Sequence, residues 1–277
     1  MRYTKTIAVA MAAALLFAFP VAAASAKTLI GSGSTAAEPY LLALFKGYKQ
    51  KHKNISFVYT ANGGNAGVKD VQEGRSQFAG QARLPLPSDA GTTYVKLFLD
   101  GLCIVTNKAN KLSNITTPQL RDIYEANVTN WTQIPGAGLN STIAPVGRDS
   151  NGGTYNFFVS AILNNTPPAS NVNALTSDAL VKNAVLKDPN AIGYNGLAYT
   201  KDGKLKKLKL DGFRCRPKSI KNLKYPLSRF LWLVYPTENP DRDVQKFADW
   251  VRTSPEAGVI ITKVGGVPAF NKKPKKH

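Results

Sequence analysis

The stretch Gly31–Pro39, with the sequence GSGSTAAEP, joins a predicted strand to a predicted helix through two closely spaced glycines. A short β-branched and apolar run over residues 28–30 precedes it, and apolar residues recur after it at helical spacing as far as about Gln50. Ser34 or Thr35 is in position to cap this helix. Unpaired N–H groups at a helix start face whatever is bound there. This stretch, the first turn, therefore predicts an α/β unit with an anion site.

The same arrangement returns in the second half of the chain. A predicted strand over residues 142–146 leads into Gly147–Thr154, the second turn, and an apolar helix follows. The guanidinium of Arg148 offers a forked set of donors that matches two oxygens of an anion. Two capped turns with a surface arginine are the simpler interpretation, but the duplication favours an oxyanion site. Its candidate donors are Ser34, Thr35, Gly64, Arg148, Gly152, Gly153 and Thr154.

The first 26 residues have the features of a secretory signal peptide. Arg2 and Lys5 precede an apolar run over residues 7–21, and Ala24-Ser25-Ala26 is a small-residue cleavage site. The alternative is an uncleaved membrane anchor, but the small residues that follow the apolar run favour a cleaved signal peptide. No cysteine lies near the cleavage site, so we predict no lipid attachment there. We expect a chain that starts at Lys27 and is exported to the periplasm or the outside of the cell.

Strands and helices alternate after the first turn. Residues 55–60 and 77–82 are predicted strands, and between them the glycine-rich segment Gly63–Gly67, the middle turn, leads into a short helix, Val68–Glu73. This alternation predicts an α/β sheet with right-handed crossovers, whose ligands bind beyond the carboxyl ends of the strands. The loops at those ends are residues 32–35, 63–67 and 83–87.

Two long strand patterns, Tyr94–Asn107 and Tyr225–Tyr235, are suited to carry the chain between two lobes. Two predicted closing helices, Asp241–Thr253 and Pro255–Val264, would then pack back on the first lobe. The exported part of the chain is long enough for one large domain or for two lobes.

The residue types disfavour catalysis and cofactor chemistry. His52 and His277 are the two histidines, and a serine–histidine triad or a histidine metal site would have to use one of them. The first turn formally matches a dinucleotide-binding fingerprint, but the next strand ends in Tyr59-Thr60, where an acidic residue for the ribose belongs. We therefore predict that the protein is not an enzyme and uses no cofactor or metal.

The chain is strongly basic, with a formal net charge of +19, to which the predicted signal peptide contributes only Arg2 and Lys5. Such an excess favours anionic partners and speeds their arrival. The lysines are dispersed and form no basic stripe interleaved with aromatic residues, so we predict no nucleic-acid partner. Cys103 and Cys215 match no metal or redox spacing, which leaves a disulfide or two buried thiols in an exported protein.

Several segments, in collinear order, resemble the PstS family, the phosphate-binding proteins of phosphate ABC transporters. They cover nearly the whole exported chain: Gly31–Thr35, Gly63–Lys69, Asp100–Asn107, Leu120–Tyr124 with Asn130-Trp131, Gly147–Thr154, Ala191–Tyr194 and Tyr225–Arg229. The resemblance implies an α/β, two-lobed periplasmic-binding-protein fold of type II, with two chain crossovers and the ligand in the cleft between the lobes. It implies one lobe from residues 27–100 and 227–277, and a second from residues 101–226.

By this resemblance, Thr35 and the amide of Ala36 contact one face of the anion, and the Gly64-Asn65 turn adds an amide and a side-chain donor. The other lobe contributes the guanidinium of Arg148, the amides of Gly152 and Gly153 and the hydroxyl of Thr154. The implied protein is a monomeric, exported receptor that captures phosphate or a related oxyanion and delivers it to a permease in the membrane.

Three departures from the family's pattern affect the choice of oxyanion. The family usually has serine where this chain has Gly64-Asn65 and Gly152, and Asp or Ser where it has Gln81-Ala82-Arg83. A carboxylate there accepts the proton of hydrogen phosphate, which sulfate lacks. Asp149 or Glu38 could substitute for it, and Arg83 could bring a second positive charge. The alternative function is a secreted scaffold or adhesion protein that binds anionic cell-envelope polymer, with weak or no phosphate binding.

Overall fold

A computed structural model describes residues 26–270, so the predicted signal peptide lies outside the described residues apart from Ala26. None of the helices in this range is long and apolar enough to cross a membrane. The strands are β1 (Lys27–Gly33), β2 (Ile55–Thr60), β3 (Phe78–Gln81), β4 (Thr92–Thr106), β5 (Asn114–Ile115), β6 (Ala144–Arg148), β7 (Asn173–Leu175), β8 (Ala191–Gly196), β9 (Lys206–Lys207), β10 (Lys209–Leu210), β11 (Phe213–Arg214) and β12 (Ser228–Pro236). The helices are α1 (Glu38–Lys51), α2 (Gly64–Gln72), α3 (Thr117–Tyr124), α4 (Gly153–Ile162), α5 (Asp178–Lys187), α6 (Pro217–Lys221), α7 (Arg242–Thr253) and α8 (Pro255–Val264).

One long mixed sheet runs through the molecule in the order β2-β1-β3-β12-β4-β8-β6-β7, with β9 beside β4. At one end β2, β1 and β3 are parallel, and at the other β8, β6 and β7 are parallel. Parallel neighbours align their carboxyl ends, so the loops that follow them meet at one edge. The α/β architecture predicted from the alternation of strands and helices is confirmed. A small separate sheet, β11-β10-β5, completes the second half.

The strands β4 and β12 carry the chain between the two halves. β12 is antiparallel to β3 and to the first part of β4, whereas the last part of β4 is antiparallel to β8. Both predicted crossing strands are therefore confirmed, although β12 begins at Ser228, three residues later than predicted. Where they cross, Asp100 and Arg229 are cross-strand partners and form a buried ion pair, with 3.0 Å between Oδ2 and Nη2. Burial raises the pKa of Asp100, and Arg229 opposes that rise.

Each half packs its own apolar core. In the first, Phe45 of α1 stacks on Phe57 with 4.2 Å between ring centroids, and Phe247 of α7 packs 5.3 Å from Phe45. The predicted closing helices are thus present and pack on the first half. The second core surrounds Trp131 and Phe158, whose side chains are almost completely buried. Two cores fit a two-lobed molecule, while the predicted lobe boundaries at residues 100/101 and 226/227 stay a prediction.

A disulfide joins Cys103 of β4 to Cys215, which lies just before α6, with 5.4 Å between their Cα atoms. Both residues are buried in the core of the second half. The sequence left a disulfide and two free thiols open, and the structure has the disulfide. It closes a loop that contains most of the second half.

Two helices begin elsewhere than the sequence predicted, and both differences shape the edge of the sheet. α1 begins at Glu38 because residues 35–37 form a separate turn, in which the carbonyl of Ser34 accepts from the N–H groups of Ala37 and Glu38. α2 begins at Gly64, earlier than predicted, because Gly63 has a φ of +102° and turns the chain directly into the helix. The middle turn is therefore itself a helix start.

Candidate functional site

The first turn contributes buried backbone donors to the edge between the two halves. Ser34, Thr35 and Ala36 are all buried. The N–H groups of Thr35 and Ala36 precede α1 and have no hydrogen-bond acceptor among residues 26–270. The carbonyl of Thr35 accepts from the hydroxyl of Tyr199, in the second half, at 2.8 Å. The two halves therefore meet directly at this turn.

Arg148, at the end of β6, is the predicted charged clamp, and its guanidinium is almost fully buried. Its Nη1 donates to the hydroxyl of Thr35 at 2.7 Å, which joins the second turn to the first. Nε and Nη2 donate to the carbonyls of Leu175 and Thr176, at 3.0 Å and 2.7 Å. A Cβ atom at Gly152 would lie only 2.9 Å from Nη2. Glycine at this position therefore lets the guanidinium approach the backbone, which a serine would hinder.

Asp178, the first residue of α5, neutralises Arg148 and was not identified from the sequence. Its side chain is fully buried, and its Oδ2 atom forms an ion pair with Arg148 and accepts from the hydroxyl of Thr35 at 2.7 Å. The other carboxylate oxygen, Oδ1, has no partner among the described residues. Asp149 approaches the same guanidinium less closely, with 3.9 Å between its Oδ1 atom and Nη2 of Arg148, and that Oδ1 atom has no hydrogen-bond partner among the described residues. The partly exposed Glu38 forms no ion pair with another described residue.

The second turn contributes donors at the start of α4. Gly153 and Thr154 are buried, and their N–H groups have no acceptor within residues 26–270. The hydroxyl oxygen of Thr154 accepts from Nη1 of Arg229 at 3.0 Å, which leaves its own proton available to another acceptor. The ion pair of the crossing strands is thereby connected to the second turn.

Gln81 lies between the starts of α2 and α4. Its side chain is fully buried at the end of β3, and its Oε1 atom accepts from the N–H of Ala82 at 2.8 Å. A Cβ atom on Gly64 or on Gly153 would overlap Oε1, so both glycines are required by the position of this carboxamide. Its Nε2 atom has no hydrogen-bond partner in the described part of the chain. The N–H of Gly64 likewise has no acceptor there.

Asn65 joins the two halves with its side chain. Nδ2 donates to the carbonyl of Ser150 at 2.9 Å and to Oδ1 of Asn156 at 2.8 Å, and its backbone N–H donates to the carbonyl of Asn151 at 3.1 Å. Oδ1 accepts from Nε of Arg83 at 2.8 Å. The Asn65 side chain thus bridges the two halves, and the role of Asn65 as a donor to the anion stays a prediction.

Arg83 forms a buried bidentate ion pair with Asp89, with N–O distances of 2.6 Å and 3.0 Å. Its charge is compensated by that carboxylate, so its role as a second positive charge for the ligand also stays a prediction. Burial acts to raise the pKa of Asp89, but hydrogen bonds from Arg83 and Tyr94 outweigh it and hold the pKa below the usual 3.8.

This pair predicts a contribution to acid sensitivity. A carboxyl whose pKa is lowered on folding stabilises the protein above its unfolded-state pKa, near 4, and loses that contribution as the pH falls through the folded-state pKa. We expect Asp89→Asn to be less stable than wild type at pH 7 and to differ less from it as the pH falls below about 4. Urea unfolding across this range measures the effect; a constant difference between the two proteins would contradict it.

The site and the fold can be compared with known proteins. A family model described as a PBP superfamily domain matches residues 20–256. The chain belongs to the PBP superfamily. Protein SphX of Synechococcus elongatus is 28% identical, over 94% of this chain and 83% of its own length. Phosphate-binding protein PstS of Bacillus subtilis is 25% identical, over 87% of this chain and 81% of its own.

Among solved structures, one from Clostridium perfringens, assigned as a phosphate ABC transporter substrate-binding protein with bound phosphate, matches with a TM-score of 0.82. It is 27% identical and covers 87% of this chain and 99% of that one. The resemblance to PstS proteins and the two-lobed α/β fold predicted from the sequence are confirmed for this member of the PBP superfamily.

Several residues predicted for the site lie close together in this PBP-superfamily chain, and their part in binding a ligand stays a prediction. The structure links Arg148 to Thr35 by a hydrogen bond and places Gly64 and Gly153 on either side of Gln81, so that residues after β1 and β2 in one half meet residues at the end of β6 in the other. It also brings in Asp178 and Gln81, which were not assigned to the site. A signal for Asp178 existed, because it opens a helix directly after a strand of the second half.

Proposed function

We propose that this protein is an exported receptor that binds inorganic phosphate, or a related oxyanion, between its two lobes and delivers it to an ABC-transporter permease. The observation that carries the proposal is a set of buried N–H donors without acceptors among residues 26–270. Buried N–H groups almost always have a partner, and an oxyanion offers several acceptor oxygens at once. The donors are the backbone amides of Thr35, Ala36, Gly64, Gly153 and Thr154, and Nε2 of Gln81.

The relatives support phosphate as the ligand. The Bacillus subtilis relative is named for phosphate binding, and the Clostridium perfringens structure was solved with phosphate bound. Both proteins are at least 25% identical to this chain, and each match covers most of both chains that are compared. Phosphate is therefore the first oxyanion to test, with sulfate and arsenate as alternatives of the same shape.

Binding would act by differential contact with the closed molecule. Each half supplies part of the donor set, so an anion that bridges them stabilises the arrangement in which the halves meet. Protein contacts already cross the gap, from Arg148 to Thr35 and from Asn65 to Ser150 and Asn151. The ligand would add to these contacts and hold the closed form for recognition by the permease.

The charges near the site are balanced in pairs. Arg148 pairs with Asp178, Arg229 with Asp100, and Arg83 with Asp89. A bound dianion would therefore be held mainly by oriented amides at the starts of α2 and α4 rather than by uncompensated arginine charge. The excess of basic residues elsewhere would act at longer range, by speeding the arrival of the anion.

The same geometry supports binding without catalysis. His52, the one histidine among the described residues, follows the last turn of α1 and stacks on Tyr48 with 3.9 Å between ring centroids. A helix of 14 residues separates it from the first turn by roughly 20 Å. The described residues thus bring no imidazole to the site to transfer protons, and the proposed role is capture and release of an unchanged ligand.

Isothermal titration calorimetry of the purified protein with phosphate, sulfate and arsenate tests the proposal. We expect at least phosphate to bind with a dissociation constant well below about 1 mM, the range of weak non-covalent association. If no oxyanion binds in that range, the receptor function is wrong. Retention on anionic cell-envelope polymer in the presence of excess phosphate would then favour the scaffold alternative.

The guanidinium of the second turn gives the matched mutational test. Arg148→Ala should weaken phosphate binding by at least about 2 kcal/mol, because it removes a charged donor that joins the two turns. Arg148→Lys, which keeps the charge but loses the forked donors, should give a smaller loss. Arg242→Ala, on an exposed position of α7, is the control and should bind as wild type does. Unchanged affinity in Arg148→Ala would mean that the site lies elsewhere.

A further inference from the structure

The side chain of Gln81 is placed to contact a bound ligand. Its carboxamide can donate a hydrogen bond, whereas a carboxylate at this place could only accept one. We infer that Gln81 donates a hydrogen bond from Nε2 to the bound oxyanion, and that this contact admits sulfate as well as phosphate. The inference rests on the proposed oxyanion-binding function and names the residue that determines its specificity. Three observations carry it: the orientation of the carboxamide, the unpaired state of Nε2 and the character of its neighbours.

The orientation of the carboxamide is determined by the backbone. The N–H of Ala82 donates to Oε1 of Gln81 at 2.8 Å, so the oxygen is on that side and the nitrogen on the other. A Cβ atom on Gly64 or Gly153 would overlap Oε1, so any larger residue there would displace the carboxamide. The carboxamide is therefore held in one place by the first residues of two helices.

Nε2 is the group that this arrangement leaves unused. Gln81 is fully buried, and Nε2 has no acceptor among the described residues. A buried donor without an acceptor destabilises the ligand-free protein, so its presence is explained if a ligand satisfies it. The unpaired N–H groups of Gly64, Gly153 and Thr154 belong to the two helices that enclose this side chain. Donors thus predominate around Gln81, as an anion requires.

The chemistry of an amide donor differs from that of a carboxylate at the same contact. An amide N–H bonds to an unprotonated oxygen, which both hydrogen phosphate and sulfate present. A carboxylate would accept the proton of hydrogen phosphate and would repel sulfate, which has no proton to give. Ala82 and Gln81 supply no carboxylate here, and Asp178 is already engaged by Arg148 and Thr35 through Oδ2. The contact at Gln81 therefore does not exclude sulfate.

Calorimetric titration of wild type, Gln81→Glu and Gln81→Met with phosphate and sulfate tests the inference. Glutamate keeps an acceptor for the N–H of Ala82 but replaces the donor by an acceptor that only a protonated oxygen satisfies. We expect its sulfate affinity to fall about 100-fold or more, and the ratio of phosphate to sulfate affinity to rise at least about tenfold. Methionine removes the donor without adding charge, so both affinities should fall by a similar factor, about tenfold.

Gln50→Glu, which adds the same charge on an exposed position of α1, is the matched control and should leave both affinities unchanged. A purely structural role for Gln81 would alter stability but not the ratio of the two affinities. An unchanged ratio in Gln81→Glu, or wild-type affinities in Gln81→Met, would overturn the inference. So would wild-type protein that binds phosphate but no sulfate, which would assign the discrimination to an unpaired carboxylate oxygen, Oδ1 of Asp178 or of Asp149. If wild type binds neither anion, the proposed function itself fails.

Discussion

Replacing Asp178 by asparagine is expected to lower the free energy of unfolding of the ligand-free protein by about 3 kcal/mol, because a buried arginine then lacks its countercharge. Asp178 and Arg148 are both almost completely buried, and the carboxylate also accepts from Thr35. Asparagine keeps the shape of the side chain and the contact with Thr35. The loss of unfolding free energy therefore measures the effect of removing the negative charge beside Arg148. Equilibrium unfolding in urea measures the difference.

Phosphate should restore much of this loss. A ligand at about 100 times its dissociation constant adds about 2.7 kcal/mol to a protein that binds it only when folded. In Asp178→Asn the gain should exceed that of wild type, because the anion also compensates Arg148. The exposed Asp249→Asn on α7 is the control and should change neither value. Wild-type stability in Asp178→Asn would show that Arg148 is not held by this carboxylate.

Removing the disulfide is expected to have the second large effect. Cys103 and Cys215 are 112 residues apart in sequence, and a closed loop of that length restricts the unfolded chain strongly. The double variant Cys103→Ala, Cys215→Ala should lose about 5 kcal/mol of unfolding free energy on the chain-entropy model. Alanine is suited to both positions because both are buried.

Urea unfolding of the double variant against wild type measures this loss, and wild type in reductant should unfold like the variant. Neither cysteine contacts Thr35, Arg148 or Gln81, so the affinity of the folded double variant for phosphate should match that of wild type. Equal stability of the two proteins without reductant would mean that the crosslink contributes nothing to folding.

The fold could be predicted from the sequence because its signals are local. The glycines of the first turn, the apolar periodicity of α1 and the long runs of apolar and aromatic residues in β4 and β12 each depend on residues that are near one another in the chain. The errors were also local. Ser34 or Thr35 was predicted to cap α1, but the helix begins at Glu38 with Ala37 at the capping position, because the turn over residues 35–37 satisfies the carbonyl of Ser34 before the helix starts.

Only part of the candidate site could be predicted from the sequence. Backbone donors were easier to predict than contacts between side chains. Backbone amides at Gly64 and Gly153 could be assigned because a helix start exposes them wherever the helix lies, whereas the amide of Ala36 was implied only by the resemblance to PstS proteins. The hydroxyls and the arginine could also be named as candidates, but their hydrogen-bond partners could not, because those partners are distant in sequence. Thr35 meets Asp178 across 143 residues, and no pattern within either segment indicates that contact.

The sequence alone was sufficient to establish the α/β class, the two helix starts that present donors and the likeness to phosphate-binding proteins. The tertiary structure was needed to show that Arg148 is neutralised by Asp178 and that Gln81 lies between Gly64 and Gly153. The physical reason is that backbone conformation depends mainly on neighbours along the chain, whereas buried charge pairs and unpaired donors arise only when distant segments pack together.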